Sequence, residues 1–215
     1  MVAGLKAILE LVAKAFQSIR NFQKGREREQ NIIGLLKISF YMQDIVTEGR
    51  ELLKSAAPDP QQKVARLSPE ASRRLLLDWQ RILRKQQRRL MALNDMIRGQ
   101  SALSVINPEL QNKISGIIGT KGKDASKLYI AANVLTFGGF LEDDGWQVRV
   151  IKVMYKLMSD GSLDMEASEA ELAGLEKALA IYRVTLEKLV GTDDIIALAK
   201  RAREESKLLD EPSSV

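Results

Sequence analysis

The residues best suited to chemistry lie between positions 73 and 98, where eight basic residues stand against only Asp78 and Asp95 as acids. Seven of those eight are arginines, whose planar fork makes paired bonds to phosphate or carboxylate that lysine's point charge does not. At about 100° per residue, with Trp79 as zero, Arg74, Arg81, Arg84, Lys85 and Arg88 fall between about 140° and 240°. Trp79, Leu83, Gln86, Leu90, Leu93 and Ile97 follow 4-3-4-3-4 spacing on the opposite side. One helix with an apolar seam and an arginine back satisfies both patterns. Those five basic residues are the candidate partner-binding set. No aromatic interleaves them and no recognition motif accompanies them, so they suit a charged backbone or surface rather than base identity.

Other constellations fail on their own requirements. The loop from Gly116 to Asp124 carries glycines and a lysine, as phosphate-binding loops do. That motif needs glycine five residues before its glycine–lysine pair, where Ile117 stands, and Ser or Thr after the lysine, where Asp124 stands. Glu142, Asp143 and Asp144 are the densest carboxylates, but consecutive residues point in different directions on a helix. They more simply stabilise the start of a helix before Trp146. Asp160 to Asp164 offers too few oxygens at calcium-loop spacing and reads as a turn. No Ser-x-x-Lys stands in a persuasive setting: Ser68 and Ser115 are both followed by other residues at the lysine position.

Composition narrows the chemistry further. The 215 residues contain no cysteine and no histidine. Disulfides, thiolate metal sites, cysteine nucleophiles, imidazole ligands and the usual general base are therefore absent. No metal or cofactor motif remains, and an enzyme would be left with carboxylate or lysine chemistry. A non-enzymatic protein is the expectation.

The elements that position the arginine face are helical. Apolar residues make up 45% of the chain, charged residues 28% and aromatics 5%, so aliphatic side chains must build the core. Leu5, Ile8, Val12, Ala15, Ile19 and Phe22 follow 3-4-3-4-3 spacing, and a second apolar stretch runs from Ile32 to about Leu53, with a break or bend expected near Gly25. Ala57-Pro58-Asp59-Pro60 ends that region. Ser68-Pro69-Glu70 starts the arginine helix with a cap, a proline at the first position and an acid at the positive dipole end, and Gly99 stops it. The middle is broken, with short helices after Asn107-Pro108 and from Asp124 to about Phe137. Residues 146–157 mix strand and helix periods and are assigned to helix, because a lone strand would have no partner. Ser168 to Glu171 forms a capping box, followed by a seam of Leu172, Leu175, Leu179, Tyr182, Leu186 and Leu189; Thr192 caps the last helix.

The expected fold is all-α, an antiparallel helical bundle of about six to eight helices with coiled-coil-like seams, in one domain over 1–210 and a disordered tail at 211–215. Residues 1–100 carry a net charge of +9, and the remainder −4. A basic half of this kind faces an anionic partner or the acidic half of its own chain. The longest uncharged run, Leu128 to Leu141, has fourteen residues, whereas a spanning helix needs about twenty. The chain is read as cytoplasmic. Function is expected to be interaction or scaffolding: the arginine face would meet an acidic protein surface or a nucleic-acid backbone, and one seam could face a second copy. The alternative is a membrane-associated effector laying the amphipathic residues 2–23 on a membrane surface.

Overall fold

The computed structural model of the protein describes residues 26–99, 165–190 and 192–208, together with Lys6. Among these residues the chain is all-α, with five helices and no strand. Helix α1 spans Arg26–Ala56, α2 Pro60–Arg66, α3 Pro69–Gly99, α4 Met165–Val190 and α5 Thr192–Lys207. The stretch 2–23, the middle segments expected around 108–137 and 146–157, and the tail 211–215 lie outside the described residues. No described helix is long and apolar enough to cross a membrane.

α1 is the axis of the described structure, packing against α3, α4 and α5. Its sequence explains why. Ile32, Ile33, Leu35, Leu36, Ile38, Tyr41, Met42, Ile45 and Val46 are all buried, covering far more of the helix than one stripe. A helix apolar on so many sides must be surrounded. The helices around it contribute narrower seams: Leu90 and Leu93 from α3, and Leu172, Leu175, Leu179, Tyr182 and Leu186 from α4, join α1 in one core cluster.

Directions follow from side-chain pairs. Trp79 Nε1 donates to Ser55 Oγ at 2.6 Å, while Arg89 meets Asp44, so α3 runs antiparallel to α1. Arg50 reaches Glu176 and the Tyr182 hydroxyl donates to the Leu35 carbonyl at 3.2 Å, so α4 is antiparallel as well. α5 follows α1 in the same sense, with Arg201 on Glu29 and Glu205 on Lys37.

Local signals set the starts of α2 and α3. The Ser68 hydroxyl accepts from Ala71 N at 3.3 Å, directly before Pro69, as an N-cap does. α2 falls where the two prolines were expected only to end a helix. Pro60 occupies its first position, where no N–H is needed, and Asp59 Oδ1 accepts from Gln62 N at 3.2 Å. This short helix carries Val64 into a second, smaller cluster with Ala56, Leu76 and Trp79. The start of α4 differs from the sequence reading: it lies at Met165, a turn ahead of the Ser168 capping box, whereas α5 starts at Thr192, where the last helix was expected to open. Ser168 to Glu171 is thus helical, and packing of Leu172 and Leu175 on α1 sustains the earlier turn.

Candidate partner-binding face

The arginine face is built by anchoring the other side of α3. Trp79, Gln86, Leu90 and Leu93 of the expected seam are buried, and Leu83 is half-buried. Gln86, the one polar member, is 7% exposed and its Nε2 donates to the Ile45 carbonyl of α1 at 3.4 Å. With that side fixed, the opposite side must face out. Arg74, Arg81 and Arg84 are exposed, while Lys85 and Arg88 are half-buried.

The five residues are therefore not equivalent. Arg74 donates to Glu70 Oε1, one turn earlier, at 2.6 Å, with both side chains largely in water. Lys85 leans over the flank of α3 toward α1, and its Nζ lies 3.8 Å from Glu48 Oε1. Its long stem lets a residue near the edge of the outer arc reach back to a neighbouring helix. Arg81 and Arg88 have no carboxylate partner among the described residues.

One arginine counted in the basic run points the other way. Arg89 is 3% exposed and bonded to Glu48, with its Nε 3.7 Å from Asp44 Oδ2. Asp44 is also held from α5, where Arg203 donates to both its oxygens at 2.7 and 2.9 Å. The Arg203 guanidinium lies 5.3 Å from the centroid of the Phe40 ring. Two helices, α3 and α5, thus bring Lys85, Arg89 and Arg203 onto two carboxylates of α1. This cluster was missed in the sequence. Its signal was an acid pair one turn apart, Asp44 and Glu48, inside a mainly apolar stretch.

Three described acids of the C-terminal half are used elsewhere. Glu205 takes Lys37 at 3.3 Å, and Glu176 accepts paired bonds from Arg50 at 3.0 and 2.8 Å, with Glu169 adding a third contact. The Arg50 bonds hold the Glu176 carboxyl below the ordinary range and raise the guanidinium in turn. Glu205, Glu176 and Glu169 serve α1, whereas Arg74, Lys85 and Arg89 of α3 pair with carboxylates of α1 and α3. Among the described residues, no three acids gather where they could hold a metal ion. No protein-family model, curated protein or solved structure matches the chain.

Proposed function

We propose that the protein is a non-enzymatic interaction module in which α3 presents Arg74, Arg81, Arg84 and Arg88 to an anionic macromolecular partner, with Lys85 at the edge. In this reading the described helices belong to a single cytoplasmic bundle of six to eight helices spanning 1–210. The observation that supports it is the asymmetry of α3. One side is held by Trp79, Leu90, Leu93 and the buried Arg89, while Arg81 and Arg88 on the other side have no carboxylate among the described residues. Four arginines to one lysine on this face add weight, because solubility alone does not ask for the fork geometry. An acidic protein surface and a nucleic-acid backbone both offer the matching oxygens.

The test is a salt titration of binding to a short labelled DNA duplex and to an acidic peptide, comparing wild type with Arg81→Glu/Arg84→Glu/Arg88→Glu. Binding to at least one anionic probe should weaken with salt and vanish in the variant, while far-UV circular dichroism stays helical. If four phosphates are engaged, the slope of log K against log salt should be about −3.6. Wild type that binds neither probe at low salt overturns the proposal.

A further inference from the structure

We infer that the anionic partner is an acidic amphipathic helix, docked along the outer stripe Arg74, Leu77, Arg81, Arg84, Arg88 and Met91; the inference rests on the anion-binding reading above and specifies its partner. These six residues follow 3-4-3-4-3 spacing and so share one face of α3, opposite the seam. On a helix such spacing makes one continuous stripe, here about 26 Å long at about 1.5 Å per residue. The stripe is thus long and straight enough for a second helix to lie along it.

Two members of the stripe are apolar, and both face water. Leu77 is 37% exposed and Met91 is 58% exposed. A phosphate backbone gains nothing by covering them, whereas an apolar residue at every third and fourth position of a partner helix does. The charges also match a helix. Arg74, Arg81 and Arg88 recur every seven residues, which places them about 10.5 Å apart along the axis. Carboxylates at one heptad position of a partner recur at that same rise.

The ends of the face discriminate further. Glu70, Asp78 and Asp95 are exposed residues of α3 beside or beyond the arginines. A continuous line of phosphates would meet these carboxylates unfavourably, while a peptide helix can place lysine opposite them. Acidic residues in the centre of the partner and basic ones at its ends would fix the register.

The experiment uses the full chain and fluorescence anisotropy. The probe is a labelled peptide of three heptads with Leu at d and Glu at a and e, whose mutual repulsion keeps it monomeric. A scrambled peptide of identical composition and a short DNA duplex are the comparisons. The heptad peptide should bind about tenfold more tightly than the scrambled one and gain helical circular dichroism on binding. Arg81→Glu/Arg88→Glu should abolish binding, and Leu77→Ser/Met91→Ser should weaken it about tenfold without changing the salt slope. Thermal melts of both variants confirm folding. Equal binding of heptad and scrambled peptides overturns the helical register while leaving an anion site in place. Tighter binding of the duplex than of either peptide assigns the face to nucleic acid instead. Failure of every probe overturns both this inference and the reading beneath it.

Discussion

Arg89 Nε lies 3.7 Å from Asp44 Oδ2, joining α3 to α1 where only 3% of the arginine side chain meets water. Removing one partner of a desolvated ion pair costs about 3–5 kcal/mol, because a charge is left buried without its counterpart. Asp44 keeps Arg203 and Glu48 keeps Lys85, which places Arg89→Ala near the low end. Urea denaturation of Arg89→Ala should show a loss of about 3 kcal/mol. A loss under about 1 kcal/mol would show that the guanidinium is hydrated in solution.

Gln86 bonds a carbonyl that α1 already uses in its own helical ladder. Replacing it with leucine removes a desolvated amide and leaves no essential acceptor unsatisfied. Gln86→Leu should raise stability by about 1 kcal/mol, seen as a higher thermal midpoint. A lower midpoint would mean that the Nε2 contact to Ile45 anchors α3.

Two glycines should respond to alanine in opposite directions. A Cβ on Gly49 would stand 3.0 and 3.2 Å from the two δ-methyls of buried Leu172, whereas one on Gly174 meets nothing within 4 Å. Alanine improves helix propensity at both by about 1 kcal/mol. Crowding of about 1–3 kcal/mol should outweigh that gain at Gly49. Guanidinium denaturation should therefore rank Gly174→Ala above wild type and Gly49→Ala below it. Adding Leu172→Val to Gly49→Ala should recover part of the loss, and no recovery would exclude the clash as its cause.

Tyr182 is fully enclosed, and burial pushes its phenol far above the ordinary value of 10.0. The sign is fixed by linkage: the native state keeps a proton that the unfolded state gives up. This contribution is intact below pH 10 and is lost as pH rises beyond it, by about 1.4 kcal/mol at pH 11. Tyr182→Phe has no proton to lose, so its stability should fall less steeply over that interval. Urea midpoints at pH 9 and at pH 11 decide the matter (about two pH units suffice). Identical falls in the two proteins would show that Tyr182 ionises while folded.

Much of α3 is legible in the sequence, because its information is local. Ser68, Pro69 and Gly99 mark its ends, and one period places Trp79, Gln86, Leu90 and Leu93 on a common side. A helix's hydrogen bonds close within four residues, so its phase and its caps are written in neighbouring positions. That phase also made Arg74, Arg81 and Arg84 outward-facing, as they are found. The same local rules failed at 60–66, where proline suits the first turn of a helix as well as it suits a break.

What the chain does with its charges was decided only by tertiary structure. Arg88 and Arg89 are neighbours in sequence, yet one has no carboxylate among the described residues and the other is buried on Asp44 and Glu48. Composition counts both as basic. Which of them meets a carboxylate depends on what α1 and α5 bring alongside, across 41 positions for Glu48 and 159 for the Arg203–Asp44 pair. Coulombic pairing is set by distance in space and by exclusion of water, and neither is encoded in a helical period.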